Sequence, residues 1–288
     1  MPEDVSGLAA FEDRDVEAVV QDEVKLAISR YQRQVRPRAV LLAGQPGAGK
    51  TELSSMLSSE MAGDVAFING DDYRRYHPYR RQLYQKFGAD SVGMLSPFSN
   101  AVTERLIKVL SGHRLNLIIE GTGRTVEVPK TTAEYLASEG YAVEMAVIAA
   151  RPEISLSSTL LRFYQMKERG TIPRATAISA HDNVVAVLPG NLDELVSLPC
   201  ISRLSIWNRD LWQLFDSDVD MGLPSEALTG YWDSPWTLDE LQCACDDLSI
   251  LREKEQHFQL GQGSAIDELA RRIEMVLPET PRIDMGML

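Results

Sequence analysis

The sequence predicts an α/β fold: a parallel sheet covered by helices on both faces, with a helical appendage at its C-terminal end. Two observations carry this reading. Short apolar runs alternate with segments of helical periodicity up to about residue 210, the order that builds parallel sheets through helical crossovers. Beyond residue 210 the strand signal fades and helix signals alone continue.

Taken in order, Val16, Val19, Val20, Val24, Ala27, Ile28, Tyr31 and Val35 recur at spacings of three and four, one face of a helix that Pro37 ends. Residues 39–43 (AVLLA) read as a buried strand, the segment after Gly49 as a helix, and residues 65–68 (VAFI) as a second strand. Ser96 followed by Pro97 is a helix start and Gly112 a helix stop, predicting a helix over 97–111. A third strand follows at 115–119, a helix near 128–139, a fourth strand at 142–150, a helix from about 152 to 168 and a fifth strand at 204–207. The division this suggests is a domain over 1–210 and a helical extension over 211–288, with 216–220 as a solvated acidic loop. In the extension, Thr237 and Glu240 form a capping box for a helix to about Phe258, and a second helix spans 265–276.

Composition limits the classes of function. With 288 residues and 44% hydrophobic content, the chain can bury a large core without metals or disulfides. A net charge of -13 and a pI near 4.8 argue against a broad nucleic-acid surface. Cys200, Cys243 and Cys245 are too few for a disulfide framework or a four-ligand zinc site, which suits a reducing cytoplasm. The start, MPEDVSGLAAFEDRD, carries acid where an export signal carries base. No apolar run approaches the roughly 20 residues needed to span a bilayer, so neither a membrane nor nucleic acid is an expected partner.

GQPGAGKT at 44–51 fits the phosphate-binding pattern of a glycine, four residues, then glycine, lysine and a hydroxyl. It leaves a predicted strand and enters a predicted helix, where backbone N–H groups and the helix N-terminus converge on phosphate oxygens. Gly44, Gln45, Pro46, Gly47, Ala48 and Gly49 would wrap the phosphates of a nucleoside triphosphate. Lys50 would sit on the β and γ phosphates and Thr51 would hold Mg²⁺. No N/T-K-x-D guanine-reading segment occurs, which argues against a GTP switch. A small-molecule kinase needs in addition a carboxylate to accept a hydroxyl proton and cations to neutralise the moving phosphoryl group.

Candidates stand at the strand ends. Asn69-Gly70-Asp71-Asp72 follows the second strand, at the edge where doubly wound sheets place ligands, and Asp71 is the candidate base. The competing reading makes Asp71 and Asp72 the cap and first turn of a helix. Glu120, Thr122 and Arg124 end the third strand in the same fashion, as a substrate or metal site or as a plain polar turn. Glu104 reads from sequence as a surface partner of Lys108. Arg162 and Arg174 flank a candidate lid at 167–173 and fit transition-state charge neutralisation, though arginines are ordinarily surface residues. His181 beside Asp182, with no further ligand at metal spacing, reads as structural.

Six runs resemble the zeta toxin family of bacterial toxin–antitoxin kinases, over about residues 38–210. They are GQPGAGKT at 44–51, NGDDYRRYHP at 69–78, SPFSNAVTERL at 96–106, LIIEGTGRTVEVPKTTAEYL at 117–136, RATAISAHD at 174–182 and LPGNLDEL at 188–195. The resemblance implies a P-loop kinase-like sheet and transfer of the ATP γ-phosphate to the sugar 3′ hydroxyl of UDP-N-acetylglucosamine or a related UDP-sugar, starving cell-wall synthesis. By position it implies that Lys50 and Thr51 bind the nucleotide phosphates and Mg²⁺, and that Asp71 is the base. Glu104, Glu120, Thr122 and Arg124 would line the nucleotide-sugar cleft, which reverses the surface reading of Glu104. Arg162 and Arg174 would face the phosphates, and a small helical antitoxin would be the partner.

Two departures stand out. The family often has an acid where Asn69 stands and a small hydroxyl residue where Asp72 stands, so negative charge has moved along the turn. The tail after about 210 exceeds what a minimal member requires. The first helix packs on the sheet domain or helps form the antitoxin groove. Two alternatives stay open: a P-loop kinase of another small hydroxyl acceptor, and a non-catalytic nucleotide-binding module.

Overall fold

The computed structural model describes residues 5–171, 173 and 175–277. The first half of the chain runs α1 (Val5–Ala9), α2 (Asp13–Arg30), β1 (Arg38–Ala43), α3 (Lys50–Glu60), β2 (Ala66–Asn69), α4 (Gly70–Tyr73), α5 (Arg80–Phe87), α6 (Ser91–Gly112), β3 (Leu117–Glu120) and α7 (Glu127–Ser138). The second half continues with β4 (Ala142–Ala149), α8 (Pro152–Glu168), α9 (Ile178–Val196), β5 (Arg203–Asn208), β6 (Gln213–Asp216), α10 (Pro224–Asp233), α11 (Leu238–Phe258) and α12 (Gly263–Val276).

The strands form one sheet in the order β2-β3-β1-β4-β5-β6, parallel throughout except for β6 against β5. Because β1, β3 and β4 are apolar on both faces, the sheet can carry helices on both sides. Ala39, Leu41 and Ala43 of β1 join Leu117 and Ile119 of β3 in one core, with side chains of α2, α6, α7, α9 and α10. Val40, Leu42, Ile118, Ala146 and Ile148 point to the opposite face, where α3 contributes Leu53 and Leu57. A third core lies between α8 (Leu156, Leu160, Phe163, Tyr164) and the last two helices (Leu248, Leu251, Ile266, Leu269, Ile273).

The structure departs from the sequence reading in several places. Helix α2 stops at Arg30 instead of running to Pro37, because residues 31–37 are drawn to neighbouring loops. Gln32 N–H donates to Asp64 (2.7 Å) and Gln34 N–H to the Arg114 carbonyl (2.9 Å). Helix α6 begins at Ser91, so Pro97 lies inside it. Ser96 does not cap: its hydroxyl donates back to the Val92 carbonyl (2.9 Å), and burial of Leu95 and Phe98 holds the turn that Pro97 weakens. Helix α9, which carries Pro189 and Gly190 and so gives little sequence signal, covers the first core with Leu188, Leu192 and Leu195.

The tail is not purely helical. The boundary at 210 falls between β5 and β6, and Phe215 and Leu228 belong to the first core. Asp216 is not a solvated loop residue: it is 8% exposed and receives the Arg203 guanidinium at 3.0 and 2.5 Å. Beyond this hairpin the extension is helical as expected, with Thr237 capping α11 through the Glu240 N–H.

Candidate active site at the carboxyl edge of the sheet

Five parallel strands bring the residues that follow them to a single edge, and the crevice there opens where the order reverses about β1. The loop after β1 rests on α8. Gly47 has φ +79°, and a Cβ there would lie 2.0 Å from the Ser155 carbonyl oxygen, so only glycine fits. Gly49, at φ +101°, turns the chain into α3. Gln45 is fully buried; its amide donates to the Ala150 carbonyl (2.6 Å) and Ser155 Oγ (3.3 Å), while its Oε1 has no partner among the described residues.

Lys50, the first residue of α3, folds back over this loop. Its Nζ donates to the carbonyls of Gly44 (2.9 Å) and Gln45 (3.4 Å) and stands 3.8 Å from Glu120 Oε1. Thr51 is exposed at the next position. Glu120 ends β3 beside Asn69, its register partner at the end of β2, and accepts a hydrogen bond from Asn69 Nδ2 (3.2 Å). The other side of that amide, Oδ1, accepts the Asp71 N–H (3.0 Å) and caps α4. Asn69 is therefore the cap and Asp71 lies in the first turn, with its carboxylate half-exposed and 2.8 Å from Arg74. Asp72 is held by Arg75, through an ion pair at 3.0 Å and a hydrogen bond to its carbonyl.

The electrostatics fit a site awaiting an anion. Burial pushes the Lys50 ammonium below its ordinary pKa against the pull of Glu120, and the nearby Arg162 charge pushes the same way as burial. Burial raises the Glu120 carboxyl, with Lys50 opposing and Asp71 and Asp72 adding to the rise. A phosphate would relieve the first by supplying negative charge to Lys50, where Glu120 is a poor substitute, and its like charge would push the Glu120 carboxyl further up.

The remaining sequence candidates fall as follows. Glu104 is exposed on α6, one residue after Thr103, whose hydroxyl packs over Gly70 of the Asp71 turn. Thr122 Oγ1 accepts the Arg124 N–H (3.4 Å), and this turn is pinned from α9 by Asn191, which donates to the Gly123 carbonyl (2.8 Å). Arg162 is exposed on α8, near enough to Lys50 to act on its charge. Arg174 and Ile172 of the lid segment lie outside the described residues.

Three contributors escaped the sequence reading. Asn69 ties Glu120 to the Asp71 turn. Arg209, just past β5, donates to Ser158 Oγ (3.2 Å) and places its Nε 3.6 Å from the position of a Cβ on Gly49. Its signal was present, a cation after a strand end, but β5 was the weakest strand in the sequence. Arg151 follows β4 and is 2% exposed, clasped by Glu240 and the 232–235 backbone.

A parallel sheet with a glycine loop, lysine and hydroxyl between β1 and the helix after it defines a P-loop fold of the kinase-like type. The chain belongs to the zeta toxin family, whose sequence profile, Zeta toxin, matches residues 21–220. It is 35% identical to toxin PezT of Streptococcus pneumoniae serotype 4 over 252 residues, covering 83% of this chain and 100% of that one. It is 32% identical to toxin zeta of Streptococcus pyogenes over 278 residues, 96% of each. A solved structure from the PezAT chromosomal toxin–antitoxin system of S. pneumoniae superposes with a TM-score of 0.77 at 32% identity, covering 85% of this chain and 99% of that one. The AvrRxo1-ORF1:-ORF2 complex with ATP shares the fold at a TM-score of 0.56 and 12% identity, covering 92% and 89%.

Proposed function

We propose that the protein is an ATP-dependent kinase that phosphorylates the sugar 3′ hydroxyl of UDP-N-acetylglucosamine or a related UDP-sugar, as the toxin of a toxin–antitoxin pair. The observation that carries this reading is the convergence of Lys50, Glu120, Asn69 and Asp71 at the ends of three adjacent strands, in a chain of the zeta toxin family. Lys50 exchanges its loop carbonyls for the β and γ phosphates. Asp71, half-exposed and oriented by Arg74, takes the proton of the attacking hydroxyl. Arg162, with Arg174, neutralises charge on the moving phosphoryl group. Glu104, Glu120, Thr122 and Arg124 line the acceptor side.

The Thr51 hydroxyl and the carboxylates on this edge are hard oxygen donors of the kind Mg²⁺ takes, and Mg²⁺ bound there would neutralise charge between the β and γ phosphates. The toxin role and an antitoxin partner are supported by the relatives, since the superposable structure comes from the PezAT toxin–antitoxin system, and the partner proposed for this chain is a small helical antitoxin. A cytoplasmic site of action fits a nucleotide-sugar substrate, and among the described residues no helix is long and apolar enough to cross a membrane.

The test is incubation with ATP, Mg²⁺ and UDP-N-acetylglucosamine, following ADP and a phosphorylated sugar nucleotide, beside a panel of other UDP-sugars. Product well above a Lys50→Ala control is the expected result. ADP release with no UDP-sugar, but with another hydroxyl acceptor, would move the substrate elsewhere. ATP binding without transfer to any acceptor would leave only a nucleotide-binding module.

A further inference from the structure

Ser155, His181 and Asp182 have the connectivity of a hydrolase triad, but Ser155 and His181 are fully buried and no ester can reach the hydroxyl. The same atoms connect two other things. At one end, Arg272 of α12 donates from both terminal nitrogens to Asp182, at 2.9 and 2.6 Å. At the other end, Ser155 Oγ receives the amide of Gln45 in the phosphate loop, and the Ser155 carbonyl is the surface against which Gly47 lies.

The hydrogen-bond directions along this path are determined by its ends. Asp182, ionised and held by Arg272, accepts the His181 Nδ1–H at 2.9 Å. That fixes the tautomer and leaves Nε2 as an acceptor. Burial pushes the His181 imidazole below its ordinary pKa, which keeps it neutral and this assignment intact. Nε2 then accepts the Ser155 hydroxyl at 2.7 Å, and Ser155 Oγ is left with lone pairs for the Gln45 amide. The direction of donation runs from the loop to Asp182 without a break.

We propose that His181 is a positioning residue for the phosphate loop: held by Asp182 and Arg272, it orients Ser155 and through it Gln45, making the C-terminal helix part of the ATP-binding apparatus. This rests on the reading of residues 44–51 as the ATP site. Its physical basis is that Gln45 is clamped between the end of β4 and the first turn of α8. A Ser155 hydroxyl free to turn to its alternative acceptor, the Pro152 carbonyl at 3.0 Å, would loosen one jaw of that clamp. The loop carbonyls that hold Lys50 belong to Gly44 and Gln45, so the lysine is tied to the same clamp.

The test measures, on the full-length chain, the Mg–ATP dissociation constant, the split between the KM for ATP and kcat, and the melting temperature. Ser155→Ala and His181→Asn remove the contact and are expected to weaken ATP binding about tenfold, with the acceptor KM unchanged. His181→Gln places an amide oxygen near the position of Nε2 and is expected to stay within about threefold of wild type. Arg272→Gln alters an ion pair on the outer helix, leaves the buried residues in place, and is expected to fall between these. A lowered melting temperature with wild-type ATP affinity in Ser155→Ala, His181→Asn and Arg272→Gln would overturn the proposal, as would His181→Gln behaving no better than His181→Asn. If the wild-type chain binds no Mg–ATP, this proposal and the functional reading fall together. ATP binding without sugar phosphorylation overturns only the substrate, and the affinities still decide the role of His181.

Discussion

Lys50 and Arg151 follow neighbouring strands, lie at the same sheet edge and are both largely removed from water, yet their charges are met differently. Arg151 makes six hydrogen bonds, to Glu240, Ser234 Oγ and the carbonyls of Trp232, Ser234 and Pro235, and lies 5.1 Å from the ring centroids of both Tyr231 and Trp236. Lys50 rests on two carbonyls of its own loop, with a carboxylate at 3.8 Å. Beside it the Gln45 Oε1 is buried without a partner among the described residues. A saturated charge fixes one packing of the chain. A charge held only by groups that can release it is arranged for an incoming anion.

The comparison predicts different consequences on the two sides. Arg151→Ala would strand Glu240 against a closed interface, and loss of a buried pair's partner costs about 3–5 kcal/mol. A drop of that size in unfolding free energy, read from denaturant midpoints, is expected, and a drop below about 1 kcal/mol would break the contrast. Leu269→Ala, in the core between α8 and α12, is expected to cost about 2–5 kcal/mol by the same measurement.

Changes on the ligand side should leave stability nearly intact and move chemistry. Asn69→Asp keeps an acceptor for the Asp71 N–H but replaces the donor to Glu120 with a like charge. It should raise the Glu120 carboxyl further and, because the new charge also lies against the Asp71 turn, move the acid limb of the pH–rate profile upward. An unchanged profile would show that the charge at position 69 does not reach the base.

The smallest expected effect lies in the hairpin. Arg203 holds the Asp216 carboxyl down at about 2, from 3.8, and a carboxyl whose folded pKa is depressed stabilises above its unfolded value. That contribution is present above about pH 4 and lost as pH falls toward 2; about 1–2 kcal/mol should vanish over this window. Asp216→Asn should flatten the stability curve there.

Much of the sheet was legible in the sequence because strands buried on both faces are continuous apolar runs, and β1, β3 and β4 need no context to be seen. Strand β6 (QLFD) and helix α9 were not, since one is a short edge strand and the other contains Pro189 and Gly190. The loop at 44–51 was legible for the same reason its chemistry is local: all its groups are contiguous. Asn69 with Glu120, Gln45 with Ser155, and Arg151 with Glu240 join residues 51 to 110 positions apart, and no spacing rule announces them. The departure at Asn69 acquires a physical meaning only from the register that sets it beside Glu120.

The central claim, that this edge carries out phosphoryl transfer with Asp71 as the base, is tested most directly by Asp71→Asn. Sugar-nucleotide phosphorylation should fall by about 100-fold or more while the Mg–ATP dissociation constant stays within about threefold of wild type. Unchanged turnover in this variant would contradict the claim and take the base role away from Asp71.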